Sequence, residues 1–275
     1  MPRLKEPHFF LFDGPDRPRF GGPLGAYRAR EMVQNWDDYQ ALFNSASTAQ
    51  VTGEASTNYL YSDQARIAID RRLPDCKLVV ILRQPADRAY SAYQRNRFQG
   101  SEPIADFAAT LAEEPRREAE GWHTGILKKK GFYARYLKPY LDTFGRERVR
   151  VYLFEDLVAK PEHVMRDLFQ YLEIDPDFRP DLSQRFNQTG VIENPLLRML
   201  WNGTRSMRSR LLPYVPLQLR GQLFNLIASK SPRKASKVPL DNTLRAELTE
   251  QYRDDILQLQ DLIGRDLSHW LSSRG

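Results

Sequence analysis

The sequence predicts an α/β fold, a parallel sheet flanked by helices, on three observations. Lys77–Leu82 is a short, β-branched-rich apolar run between Pro74 and Pro85, the pattern of a strand buried on both faces. Val149–Phe154 reads as a second strand, with Val149, Val151 and Leu153 on one face. Tyr133, Tyr136, Leu137, Tyr140, Leu141 and Phe144 repeat at helical spacing and mark an amphipathic helix against the core. A chain of 275 residues is long enough for one large domain of this kind, and no internal repeat or clear domain boundary divides it.

The chain opens on KEPHFF, residues 5–10. Pro7 forces Glu6 out of helical geometry, so the piece reads as extended, with Glu6, His8 and Phe10 on one side. A carboxylate and an imidazole then project side by side next to aromatic bulk. An isolated pair of this kind is more often a surface Glu beside a half-buried His than a reactive pair. Residues 14–25 are rich in Gly, Pro and Arg and read as a loop. Met32–Phe43 reads as a helix whose Trp36, Tyr39 and Phe43 belong to the core. Gly53–Tyr61 reads as a short strand and turn, in which Glu54 serves either positioning or a structural hydrogen bond. Ser62 caps a helix through Arg72 that leads into the Lys77–Leu82 strand.

Arg83 stands at the C-terminal end of that strand. Pro85 breaks the ladder and a helix begins about Asp87, on which Arg88, Ser91 and Arg95 share a face. In open α/β sheets ligands sit outside the carboxyl ends of the strands. Arginine offers a planar fork of donors and serine a short one, a combination suited to phosphate. The alternative is an Arg83 paired with a core carboxylate and a Ser91 that merely packs.

Further on, Ile104–Leu111 reads as a helix and Lys128–Lys130 as a solvated loop. Pro139 marks a kink in the following helix. Glu155-Asp-Leu157 ends the second strand, and Pro161 opens a helix with Val164, Leu168 and Tyr171 inward. Leu244, Leu248, Tyr252, Leu259 and Ile263 repeat on a long helix that Gly264 can terminate.

LRQPADRAYSAY, residues 82–93, resembles the 3′-phosphate-binding segment of sulfotransferases that use 3′-phosphoadenylyl sulfate (PAPS). KEPHFF, the GEASTNYLY stretch at residues 53–61 and the strand followed by FEDL at residues 154–157 also resemble that family, in its bacterial and glycosaminoglycan-type branch. The resemblance runs from about Lys5 to Leu271. It implies a P-loop-NTPase-like sheet and sulfuryl transfer from PAPS to a hydroxyl or amine of a carbohydrate or small molecule, without a metal. Arg83 and Ser91, eight residues apart, would hold the 3′-phosphate. Glu6 would be the general base, with His8 positioning it or the acceptor. Lys234 and Lys237 correspond loosely to a basic loop that closes over the nucleotide. The family also carries a first strand and a GxxKxGTTxL-like phosphosulfate loop ahead of KEPHFF; here only MPRL precedes it, and no GxxxxGK[ST] occurs elsewhere. The expectation is therefore a chain missing its first βα unit and, by itself, a poor catalyst.

Charge is unevenly placed. The formal net charge is +6, yet the segment from Asn194 to Val238 holds nine Lys or Arg and no acid, so it accounts for the whole positive balance. Such a segment reads as a basic lid facing an anionic partner: nucleotide, acidic acceptor or membrane surface. Nucleic acid ranks last, for no reader motif is present. A non-catalytic module with this fold, binding nucleotide, membrane or polyanion, is the rival functional reading. The single Cys76 excludes an internal disulfide framework. No apolar run reaches the roughly 18 residues of a membrane span, and MPRLKEPHFF lacks a secretory h-region, so the expected compartment is cytoplasmic.

Overall fold

The computed structural model describes residues 2, 4–16, 18, 20–22, 25–46, 49, 51–99, 101–122, 125–181 and 239–272. The basic segment at 194–238, with Lys234 and Lys237, lies outside the described residues.

Two parallel strands, β1 (Leu78–Leu82) and β2 (Val149–Leu153), pair from Leu78 opposite Val149 to Leu82 opposite Leu153. Helices α1 (Gly25–Glu31), α2 (Trp36–Ala41) and α3 (Asp63–Arg72) precede β1. Between the strands run α4 (Pro85–Gln99), α5 (Phe107–Ala112), α6 (Glu114–Ala119) and α7 (Tyr133–Phe144). After β2 come α8 (Phe154–Ala159), α9 (Pro161–Tyr171), α10 (Asn242–Ile263) and α11 (Ser268–Leu271). The expected α/β architecture, a parallel sheet flanked by helices, is what the chain forms.

Local chemistry sets most of these bounds. The Ser62 hydroxyl accepts the N–H of Ala65 and starts α3. Pro85 is the first residue of α4 rather than a break before it, since the first turn needs no donor there. Gly264, with φ +64°, closes α10 in the left-handed region that a side chain disfavours. Two expected helices shrink because a capping side chain intervenes. Asn35 accepts from Asp38 and begins α2 at Trp36, not Met32; Asp106 accepts from Ala109 and begins α5 at Phe107, not Ile104.

Three expectations are corrected. β1 is not buried on both faces: Leu82 is covered, but Val79 and Ile81 are 41% and 50% exposed. Tyr152 and Tyr171 cover that side near β2, where Tyr152 donates to Asp167 of α9 and Tyr171 donates to the Leu78 carbonyl; Val79 and Ile81 open into a cleft. Gly53–Tyr61 forms no strand; it is a turn ending in a 3-10 helix at Tyr59–Tyr61. Nor is KEPHFF extended throughout. His8 takes a left-handed backbone, φ 56° and ψ 17°, and Phe9–Leu11 form a 3-10 turn. That turn buries Phe9 and Phe10 together, against Tyr39 and Tyr59, which strict alternation would not allow.

The C-terminal helices brace the sheet's functional end. Arg245 of α10 pairs with Asp87 in the first turn of α4 at 3.0 Å, and Gln84 donates to Thr249 at 2.9 Å. Asp255, also of α10, accepts the N–H groups of Ala134 and Arg135 at 3.1 and 3.3 Å, so a carboxylate from a distant helix caps α7. Burial raises the Asp255 carboxyl above its ordinary value, and those backbone donors oppose the rise.

Candidate active site

One open cleft of about 2230 Å³ runs the length of β1 and on past its carboxyl end to Arg83 and α4. Glu6, His8, Arg83, Arg88, Ser91 and Arg95 all line it. Segments some fifty residues apart build the first wall. Ala55 donates to the Lys5 carbonyl at 3.0 Å, His8 N–H donates to Ser56 Oγ at 2.9 Å, and Phe10 N–H reaches the Tyr59 hydroxyl at 3.4 Å. The KEPHFF segment is thus laced to the Gly53–Tyr61 turn. These bonds fix the backbone on both sides of Glu6, at Lys5, His8 and Phe10.

Glu6 and His8 do stand side by side, with His8 Nε2 3.4 Å from Glu6 Oε2. His8 is buried, while Glu6 is 38% exposed toward the cleft. The bond from His8 holds the Glu6 carboxyl below the ordinary carboxylate range, with Arg95 and Lys5 adding to the effect. Glu54 shows the opposite shift: burial raises its carboxyl, although Ser56 N–H donates to Oε2 at 2.7 Å. Their surroundings push these two carboxyls in opposite directions, and Glu6 carries the lowered one on the cleft.

Strand β1 and helix α4 build the second wall. The Arg83 carbonyl accepts from Tyr133 at 2.9 Å, which fixes the backbone. Its guanidinium rests on the ring of Phe154, 5.1 Å from the centroid. Among the described residues no carboxylate pairs with Arg83, so the expected alternative of a core ion pair does not occur. Arg88, one turn before Ser91, donates to the Leu127 carbonyl and leaves a buried Nε without a partner. A guanidinium that is oriented by an aromatic ring and by its own backbone, but not neutralised, is set up to receive an anion.

Sequence reasoning did not single out Phe154 or Lys130. Phe154 follows β2 directly, and its turn is held by α11 and the link before it. Arg265 pairs with Asp156 at 2.9 Å, His269 with Glu155 at 3.0 Å, and Trp270 Nε1 also donates to Glu155. Lys128–Lys130 is not a solvated loop. The Glu114 carboxylate, 4% exposed, accepts the N–H groups of Leu127, Lys128 and Lys129 at 2.6–2.7 Å. Tyr252 donates to the Lys128 carbonyl at 2.9 Å. Gly131 completes the turn, where a Cβ would come within 2.7 Å of the Tyr252 ring. The run of lysines carried no trace of these partners, which lie on α6 and α10.

The chain is similar to several known proteins. A model described as the sulfotransferase family matches residues 27–179. The bifunctional heparan sulfate N-deacetylase/N-sulfotransferase 3 of Mus musculus is 25% identical over 228 residues, which cover 79% of this chain and 23% of that protein. The bifunctional heparan sulfate N-deacetylase/N-sulfotransferase 1 of Caenorhabditis elegans is 26% identical over 189 residues, covering 67% and 22%. The chain spans about a quarter of the length of the curated relatives it matches. A crystal structure of a sulfotransferase from Alicyclobacillus acidocaldarius superimposes with a TM-score of 0.74 at 29% identity, covering 98% of this chain and 87% of that one.

Proposed function

The chain belongs to the sulfotransferase family, and from that premise we propose that it transfers a sulfuryl group from PAPS to a hydroxyl or amine, with a carbohydrate as the preferred acceptor class. The observation that carries the reading is the convergence of an ionised Glu6, an unneutralised Arg83 and Ser91 on one cleft. The curated relatives named for heparan sulfate N-sulfotransfer support the carbohydrate acceptor.

PAPS, when bound, supplies an activated sulfuryl group. The 3′-phosphate suits Arg83, whose guanidinium pairs with no carboxylate among the described residues, together with Ser91 of α4. Phe154 holds the Arg83 fork against swinging away. Glu6 takes the proton from the acceptor atom as that atom attacks. His8 donates to Glu6, lowering its carboxyl further and aiming it. Lys234 and Lys237 would close the basic 194–238 segment over the nucleotide, a role that the family resemblance supports.

Titration with 3′-phosphoadenosine 5′-phosphate tests this by calorimetry. The wild type is expected to bind it. Arg83→Gln should weaken binding about 10- to 100-fold, the worth of a charge-assisted hydrogen bond. Arg83→Lys should recover only part, because an ammonium lacks the planar fork. No binding by the wild type would end the sulfotransferase reading and favour a non-catalytic module. Unchanged affinity in Arg83→Gln would move the phosphate elsewhere.

A further inference from the structure

The last paired residues of β1 and β2 are Leu82 and Leu153, so Arg83 and Phe154 are the first residues beyond the ladder on each strand. Each is followed by a residue bonded to Trp270 of α11. Gln84 Nε2 donates to the Trp270 carbonyl at 3.3 Å, and the Trp270 indole Nε1 donates to Glu155. The Trp270 ring also meets that of Tyr133, 6.3 Å between centres, and the Tyr133 hydroxyl donates to the Arg83 carbonyl at 2.9 Å. Trp270 itself is 1% exposed. One buried side chain thus closes on the Arg83–Phe154 contact through the residue after Arg83, the residue after Phe154 and the phenol that holds the Arg83 backbone.

These contacts do more than fill space. A phenylalanine would occupy most of the same volume. A buried indole, by contrast, must find an acceptor for its N–H, and here the acceptor is the carboxylate next to Phe154. Past Leu82 and Leu153 no ladder bond joins the two strand ends, so their separation is left to side chains. The cation–π contact between Arg83 and Phe154 is weak by itself and tolerates sliding. Gln84 is a firm anchor for the other arm, because Thr249 accepts its second bond at 2.9 Å and its own Oε1 accepts the Asp87 N–H at 2.8 Å.

Resting on the sulfotransferase reading, we propose that Trp270 is a positioning residue for the nucleotide: it sets the separation of Arg83 and Phe154 and so holds the guanidinium in the orientation that receives the 3′-phosphate. The coupling runs both ways, as any equilibrium coupling must. A phosphate on Arg83 favours the arrangement in which the Trp270 indole stays on Glu155.

The test uses the full chain and 3′-phosphoadenosine 5′-phosphate as the probe, titrated by calorimetry. Trp270→Phe should weaken binding about three- to tenfold, the scale of a misaligned cation–π contact and phosphate bond. In an Arg83→Gln background the same substitution should change affinity little, because it acts through that guanidinium. Glu155→Gln, whose amide oxygen still accepts the indole N–H, should keep most of the affinity, and Glu155→Met should match Trp270→Phe. A second measurement needs no change at Trp270. Hydrogen exchange of its indole N–H, followed by NMR, should slow in the wild type on saturation with the nucleotide, while the indole of Trp122, bonded to Glu120, serves as reference. That slowing should vanish in Arg83→Gln. A tryptophan that only filled the core would lower the melting temperature and leave affinity and exchange response alone. Unchanged affinity in Trp270→Phe, or a loss as large without Arg83 as with it, overturns the proposal and leaves the sulfotransferase reading standing. If Trp270→Phe does not fold, the wild-type exchange decides, and no slowing beyond that of Trp122 overturns it. No nucleotide binding by the wild type overturns the sulfotransferase reading and the proposal with it.

Discussion

Replacing Glu6 by glutamine is expected to lower sulfuryl transfer about 10²- to 10⁴-fold, the usual worth of a general base, with nucleotide affinity nearly intact. Glutamine keeps the shape and can still accept a hydrogen bond from His8, but it cannot take a proton. The pH profile gives an independent reading. The Glu6 carboxyl is lowered from its reference of 4.5 by the His8 hydrogen bond. The basic form is therefore fully present at neutral pH and is lost only as pH falls through the depressed value. The acid limb of kcat/KM should lie below 4.5 in the wild type. In His8→Ala it should move upward toward the ordinary carboxylate range, a shift that a purely structural role for His8 would not produce. Near-normal turnover in Glu6→Gln would remove Glu6 from the chemistry.

Removing Arg117 should cost about 3–5 kcal/mol of stability, the penalty of stranding a buried charge. Arg117 of α6 grips Glu102 through two bonds, 2.5 and 2.9 Å, with both side chains 1% exposed. Trp122 covers the guanidinium at 4.7 Å. Glu102 also accepts the N–H of Ile104 at 2.8 Å, and Arg97 donates to the carbonyls of Glu102 and Pro103. The pair pins the loop that follows α4, and with it the helix that carries Ser91 and Arg95. Urea denaturation of Arg117→Met should show the loss. The double variant Arg117→Met, Glu102→Gln should recover most of it, because no unpaired charge then remains and the amide oxygen still serves Ile104. Additive losses would mean that the pair's charge is not what matters.

The sequence made β1, β2, α3, α7, α9 and α10 legible because their signals are local. An apolar run, a capping Ser62, a Pro161 at a helix start and a Gly264 at a helix end each act within a few residues. The placing of Arg83 and Ser91 on one cleft was legible for the same reason: one strand-to-helix turn fixes both. What could not be read depends on partners far along the chain. His8 turns left-handed because Ser56, 48 residues on, takes its N–H while Phe9 and Phe10 both enter the core. Lys130 gains its place from Glu114 and Tyr252, and Phe154 from Trp270 and His269. Val79 and Ile81 carry a buried-strand pattern, but burial is decided by what packs above them, and α9 meets β1 at its Leu78 end through Tyr171 without covering these two side chains.

The left-handed backbone at His8 sets stability and activity against each other. A non-glycine residue in that region gives up about 1–2 kcal/mol, and asparagine or glycine tolerates it better. His8→Asn should therefore raise the melting temperature if the Ser56 bond survives, while the imidazole that orients Glu6 disappears. A screen for thermostable variants would favour this substitution and a screen for turnover would discard it. A selection that rewards only folding would drift away from histidine here, so the residue's persistence among active variants of this chain would itself report on the demand made by the reaction.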